Sequence, residues 1–181
     1  MNILSIYQSL PSTVSLFQND RIVAAVSEER FTRNKNDEAF PKESINYCLD
    51  QGGIKPENLD AVALASFTSP FEDQLVKKSR WSVADYLTEQ YDRWKPFLID
   101  KNHAELKSLL EIFPGKIETE LYPQNFWSEI LNDDDSSKAY LKNRTKLFSD
   151  YLDIPNHKIH KVDHHRAHAY YSYYTSHFRN E

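Results

Sequence analysis

The sequence predicts an α/β fold in which helices flank a mixed sheet. Three short apolar runs separated by turn residues open the chain, and helical and strand-like segments alternate after residue 40. A three-strand meander followed by a βαβα pattern is typical of such a sheet. A stretch at about 68–150, rich in aromatic residues, interrupts the alternation with helical periodicity, and this predicts a mostly helical insertion.

The first three strands are expected at residues 2–7, 13–18 and 21–27, with a turn at Pro11 and a tight turn at Asn19-Asp20. Strands joined in this way form an antiparallel meander.

A helix is expected to begin after Pro41, since proline suits the first helical turn, where its missing N–H is not needed. Ile45, Cys48 and Leu49 recur at spacings of three and four and form one apolar stripe. Gly52-Gly53 predicts the end of this helix. A buried strand is expected at 60–67.

Two helical faces are expected within the insertion: Val83, Leu87, Tyr91 and Trp94 share one, and Leu106, Leu109, Leu110 and Phe113 share the other. Periodic side chains of this kind usually pack against a core. After the insertion we expect a strand at 157–162 and a helix at 163–178, with Asp163 as its N-cap.

Composition excludes several classes of protein. The 181 residues suit one domain, and the net charge of −5 with scattered basic residues leaves no nucleic-acid footprint. No signal peptide and no long apolar run is present, so neither secretion nor a membrane span is expected. The single Cys48 is expected to be a core residue in a cytoplasmic protein. With three glycines in all, a phosphate loop within the chain is not expected.

Two histidines in the segment Asp163-His164-His165-Arg166-Ala167-His168 have the spacing of metal ligands. His164 and His168 are four residues apart, so on a helix their side chains project from one face. Two imidazoles in this arrangement can hold one divalent metal. The alternative is a helix that carries exposed or core histidines. Two ligands also leave a metal site incomplete, and Asp37 or His160 are the candidates for a third within the chain.

Basic residues cluster in the segment Glu28-Glu29-Arg30-Phe31-Thr32-Arg33-Asn34-Lys35-Asn36-Asp37, at the end of a predicted strand. Arg30, Arg33 and Lys35 have the charge to bind a phosphate or carboxylate. The alternative is a solvated loop in which these cations pair with the neighbouring acids.

Several segments together resemble one family. They are the strand 2–6, the hairpin segments 12–16 and 22–25, the basic segment 28–33 with Lys35 and Phe40-Pro41, the strand 59–63, and the helix segment 162–165 with His168-Ala169, Tyr173-Tyr174, Ser176 and Phe178. This combination is similar to the carbamoyltransferases of antibiotic biosynthesis and nodulation. The resemblance covers residues 1–67 and 154–178, whereas 68–150 match only in position.

The resemblance implies an actin/Hsp70-like (ribonuclease H-like) fold, related to the universal tRNA threonylcarbamoyl protein, and a role in secondary metabolite biosynthesis. It implies that carbamoyl phosphate is hydrolysed to carbamate, that carbamate and ATP form carbamoyl-adenylate, and that the carbamoyl group passes to a hydroxyl acceptor. His164 and His168 match the family's helical ligands for Fe2+, with Zn2+ or Mg2+ as alternatives. Arg30, Arg33, Lys35 and Asn36 match the loop near the substrate path.

Two departures from the family's pattern bear on activity. The first turn reads Leu10-Pro11-Ser12 where relatives often have His-Asp-Ser or Lys-Asp-Ser, and Asn36 stands where the basic loop usually has histidine. An amide cannot relay protons as an imidazole can. The family also continues into a second half with glycine-rich nucleotide loops. We therefore expect that the chain needs a missing half, a partner subunit or a homodimer, and a catalytically degenerate metal- or partner-binding module remains the alternative. A stand-alone metal hydrolase is a third.

Overall fold

The computed structural model describes residues 1–65, 72, 76, 81–100, 106–117, 129, 130 and 132–180. The chain divides into two compact units, one made of Met1–Ser69 with Glu129–Glu181 and the other of Pro70–Ser128. The expectation that residues 1–181 are a single lobe with a helical insertion at about 68–150 stays a prediction.

The first unit contains the predicted mixed sheet. Its strands are β1 (Asn2–Tyr7), β2 (Thr13–Gln18), β3 (Arg21–Ser27), β4 (Ala61–Ala65) and β5 (Ile159–Lys161). They lie in the order β3-β2-β1-β4-β5; the β1–β2 and β2–β3 pairs are antiparallel, whereas β1–β4 and β4–β5 are parallel. The fold class and the meander are therefore confirmed. Asn19 and Asp20 both have positive φ, 46° and 66°, as a two-residue hairpin turn that follows the strand twist requires.

Four strands end at one edge of this sheet. Register places Tyr7 opposite Thr13 and Ala65, and Thr13 opposite Ser27, so β1, β3 and β4 all finish together, and the parallel β5 finishes there at Lys161. We call this the carboxyl edge. Loops at such an edge are where open α/β sheets place their ligands.

The described α-helices are α1 (Glu29–Thr32), α2 (Lys42–Gly52), α3 (Val83–Glu89), α4 (Lys95–Leu98), α5 (Leu109–Ile112), α6 (Ser136–Leu152) and α7 (His164–Tyr174). The predicted end of α2 is confirmed, since Gly53 takes the left-handed conformation at φ 62° and donates to carbonyls of the last turn.

Alternate residues of the strands form the core on one face of the sheet, where α2 and α6 cover them. The buried set includes Leu4, Ile6, Val14, Leu16, Val62 and Leu64 from the strands, Ile45, Cys48 and Leu49 from α2, and Phe148 and Leu152 from α6. Every second side chain of the strands points to this face, and helix side chains spaced three and four residues apart pack against them. Cys48 is a buried free thiol, as predicted, and burial raises its pKa to about 11.

The second unit has a small core of its own, in which Leu109 and Phe113 are buried with Val76 and contact Leu110. Leu109, Leu110 and Phe113 of the second predicted face therefore pack as expected, whereas Leu106 precedes the helix and is half-buried. The other face is wrong as a packing surface, because Val83, Leu87 and Tyr91 are 77%, 52% and 62% exposed. Periodicity determines which side chains share a face but does not determine whether another element covers that face.

The last strand and helix are shorter than predicted. A 3-10 turn at Asn156–Lys158 precedes β5, and α7 ends at Tyr174, before a second 3-10 turn at His177–Asn180. Asp163 is the N-cap of α7, as predicted, since its carboxylate accepts a bond of 2.9 Å from the backbone N–H of Arg166. Within the described ranges, no helix combines the length and the apolar character that crossing a membrane requires.

Candidate functional site

The histidine pair lies in the first turns of α7, immediately after β5 at the carboxyl edge. The N-cap bond of Asp163 begins the helix there, and the backbone N–H of Arg166 holds the pKa of the Asp163 carboxyl below its usual range. His164 is half-buried and His168 is exposed. Their Nε2 atoms are 3.1 Å apart, and the ring planes meet at 86° with centroids 4.5 Å apart.

The geometry of this pair fits one divalent metal. Imidazole nitrogens bind zinc-like ions at about 2.0–2.1 Å, so two ligands at tetrahedral or octahedral angles are about 2.9–3.4 Å apart. The observed 3.1 Å falls inside that interval. The same distance is that of a hydrogen bond between the two rings, and it also leaves both Nε2 atoms close enough to bind one ion.

A shallow pocket surrounds the pair and connects it to the sheet. Tyr7, Ala65, His164, Ala167 and His168 line it. The rings of Tyr7 and His164 are stacked, with centroids 5.6 Å apart and planes inclined by 28°. The pocket thus lies over the ends of β1 and β4, and the Tyr7 ring contacts the His164 ring.

A third ligand is not supplied by the described part of the chain. Among those residues, no three His, Cys, Asp or Glu side chains come together as a metal site. Asp37 is buried and its carboxylate accepts bonds from Thr32 Oγ1 and the Ala39 N–H, while His160 is exposed on β5. Neither of these two candidates joins the histidine pair as a third ligand among the described residues.

The basic segment follows β3 at the same carboxyl edge. Arg30 lies in α1, Arg33 ends that helix in the left-handed conformation, and Lys35 precedes Asn36, which is also left-handed at φ 59°. All four are exposed.

The acids of this segment are occupied by other contacts. Glu28 is 2% exposed, and its carboxylate accepts bonds from the N–H groups of Glu43 and Ser44 and from Ser44 Oγ. Glu29 accepts a bond of 2.9 Å from the Asn36 N–H, and Asp37 accepts the two described above. The ion pairs of the described residues include none with Arg30, Arg33 or Lys35, which argues against the paired-loop alternative.

The histidine pair and the basic segment share an edge of the sheet but not a direct contact. Strands β3 and β5 are four positions apart, which is roughly 19 Å at the usual strand spacing. Phe31 contacts Tyr47 of α2, on the face opposite the one that α7 overlies. The turn at Ser12 lies between the two groups. The Ser12 carbonyl accepts a bond from the Glu28 N–H, and the Ser12 N–H donates to the Asp37 carbonyl. That both groups act on one substrate path stays a prediction.

Two residues of this region escaped sequence reasoning. Tyr7 reads as one more apolar strand residue, and its aromatic ring at the strand end is the signal that could have drawn attention to it. Glu28 reads as one of several surface acids. No local pattern shows that its carboxylate reaches the start of α2, because the two segments are 15 residues apart.

The sequence is similar to one known protein family. Residues 3–181 match the model of the family described as "Carbamoyltransferase N-terminus". The nodulation protein NolNO of Sinorhizobium fredii is 33% identical over 72 residues, 38% of this chain and 11% of that protein.

Two uncharacterized proteins are similar as well. One from Synechocystis sp. is 49% identical over 51 residues, 28% of this chain and 8% of its own length. Another from Methanocaldococcus jannaschii is 40% identical over 62 residues, 34% of this chain and 12% of its own length. The matched part thus spans only 8% to 12% of these three relatives.

Proposed function

Since this chain belongs to the family of carbamoyltransferase N-terminal domains, we propose that it is the N-terminal part of an O-carbamoyltransferase that acts with a second half or subunit. Carbamoyl phosphate is hydrolysed to carbamate and phosphate. Carbamate then displaces pyrophosphate from ATP to give carbamoyl-adenylate. A hydroxyl acceptor finally takes the carbamoyl group and releases AMP. The observation that carries the proposal is the His164–His168 pair, with Nε2 atoms 3.1 Å apart in a pocket at the carboxyl edge.

In this proposal His164 and His168 hold a divalent ion, Fe2+ with Zn2+ or Mg2+ as alternatives. The bound ion supplies Lewis acidity and a template for anionic oxygens. Tyr7 keeps the His164 ring in place by stacking. Because the described residues supply only two ligands, the chain alone binds metal weakly, and the second half adds the missing ligand.

Arg30, Arg33, Lys35 and Asn36 bind the anionic substrate. Charge-assisted bonds from guanidinium and ammonium groups suit the phosphate of carbamoyl phosphate. The commitment of Glu28, Glu29 and Asp37 to other contacts supports this role, since it leaves three cations on a segment with defined backbone geometry.

The second half, a partner subunit or a second copy of the chain brings the ATP site and covers the open face of the sheet. An open groove supports this proposal, since the sheet residues Ile3 and Phe17 line it together with Tyr170, Tyr171 and Tyr174 of α7. Exposed apolar patches of this kind mark association surfaces. A strictly monomeric chain in light scattering at high concentration would argue against self-association. The cytoplasmic location predicted from the single cysteine remains part of this proposal.

Metal binding is tested with Co2+, whose visible absorption reports nitrogen ligands. Addition of Co2+ to the chain is expected to give a visible absorption band, and His164→Ala and His168→Ala should each abolish this band. His177→Ala, which removes an exposed histidine beyond the end of α7, is the matched control and keeps the band. A band that survives both changes would refute the assignment of the ligands.

Catalysis is tested on the assembled protein by release of pyrophosphate from ATP that depends on carbamoyl phosphate. Arg30→Ala, Arg33→Ala and Lys35→Ala are each expected to raise KM for carbamoyl phosphate about tenfold, the loss of one charge-assisted contact. Arg21→Ala is the control, because Arg21 is exposed at the opposite end of β3. If the assembly binds metal but releases no pyrophosphate, the degenerate binding module is the correct function.

A further inference from the structure

A buried guanidinium lies at the carboxyl edge, on the face of the sheet opposite the histidine pair. Arg144 of α6 is 0% exposed, although charged side chains are rarely buried completely. Its Nε donates a bond of 3.0 Å to Gln8 Oε1, and its terminal Nη2 atom lies 3.3 Å from the Gln8 carbonyl and 3.4 Å from the Ala65 carbonyl. No role proposed so far uses this residue.

These contacts join the ends of two parallel strands. Gln8 follows Tyr7, the last residue of β1, and Ala65 is the last residue of β4, paired with Tyr7 in the register. Gln8 is itself fully buried. A planar guanidinium has donors in a fixed arrangement, so it can hold several oxygens at set positions, which a flexible ammonium does less well.

The same two strand ends form the wall of the histidine pocket. Tyr7 and Ala65 line that pocket, and the Tyr7 ring stacks on His164. A shift of the β1 end would move the Tyr7 ring and release His164 from the orientation in which its Nε2 faces His168. Arg144 thus contacts the ends of both strands that form the wall of this pocket.

We propose that Arg144 is a positioning residue for the histidine pair, acting through the ends of β1 and β4 and the ring of Tyr7. The inference rests on the proposed function, because the position of the histidine pair matters only if the pair binds a metal. The predicted effect of Arg144 on the Tyr7 and His164 rings does not require a metal. It assigns to one buried residue of α6 the task of keeping two ligands on a different helix within reach of one ion.

The test compares Arg144→Met and Arg144→Lys with the parent chain in two measurements. The first is the nuclear Overhauser effect between the Tyr7 and His164 ring protons, which needs no metal. The second is the Co2+ concentration at half-saturation, recorded in buffer where urea titration shows each variant to be folded. Lys146→Met is the matched control, because Lys146 is on the same helix and its side chain is 67% exposed.

We expect Arg144→Met to lose the Tyr7–His164 effect and to bind Co2+ about tenfold more weakly, the lower end of what outer-shell changes cause. Arg144→Lys should be intermediate, and its retained charge keeps the test available if the methionine variant does not fold. A role in stability alone would lower the urea midpoint and leave both measurements unchanged, and that result in a folded Arg144 variant would overturn the inference. If the parent chain shows the ring contact but no histidine-dependent Co2+ band, the metal proposal fails and the ring measurement still decides the positioning.

Discussion

Replacing Glu28 by glutamine is expected to weaken the start of α2 and, with it, the attachment of the basic segment. Pro41 at the start of this helix has no side chain that can cap it, and the carboxylate of Glu28 serves that purpose from 15 residues away. Its two oxygens accept three bonds, 3.0 Å from the Glu43 N–H, 2.8 Å from the Ser44 N–H and 2.6 Å from Ser44 Oγ.

The cost follows from counting acceptors. Glutamine has one oxygen and one amide group, so in either orientation its NH2 faces a backbone N–H and at least one bond is lost. A buried donor left without a partner costs about 1–3 kcal/mol. Removing a negative charge from a helix N-terminus costs about 0.3–1 kcal/mol more. The free energy of unfolding should fall by about 1–4 kcal/mol.

Urea unfolding at pH 7, followed by circular dichroism, measures this difference. Glu29→Gln is the matched control, because the neighbouring Glu29 is half-buried and accepts a single bond, from the Asn36 N–H. It should lose less than about 1 kcal/mol. A loss below about 0.5 kcal/mol for Glu28→Gln, the size of an ordinary surface change, would refute the view that Glu28 caps α2.

Three further outcomes are expected. Phe148→Ala should cost about 3–5 kcal/mol in urea unfolding because Phe148 is fully buried, whereas Phe178→Ala, at a 64% exposed position, should change little; equal losses would contradict the described core. Cys48, with its pKa raised to about 11 and its side chain buried, should react with an aromatic disulfide reagent only after unfolding, and rapid native labelling would argue against its burial. Lys116 and Ser82 lower the pKa of Asp85 from 3.8 to about 2, so its stabilising effect is complete above pH 3.8 and disappears as the pH falls through 2. Asp85→Asn should flatten the pH dependence of unfolding across that window, and an unchanged slope would show that Asp85 does not contribute to it.

Local patterns were enough to predict the strands of the meander, the ends of α2 and the N-cap of α7. Each depends on neighbours in the sequence: alternation in the strands, a glycine pair after Leu49, and a carboxylate one residue before a helix. The spacing of His164 and His168 likewise depends only on helix geometry, which places both side chains on one face, and their Nε2 atoms are 3.1 Å apart. The face of Val83, Leu87 and Tyr91 shows the limit of this reasoning, because burial depends on what packs against a face.

The sequence by itself determined the α/β class and the two clusters that carry the proposals, because these follow from residue types and short-range periodicity. It indicated the family through the resemblance of several segments taken together. Only the tertiary structure decided that Glu28 caps a distant helix, that Tyr7 stacks on His164, and that Arg144 is buried beneath the ends of β1 and β4. These contacts join residues that are 16, 157 and 136 positions apart. Side chains so far apart in the chain meet because strand register and helix packing bring them together, and neither is encoded in a local pattern.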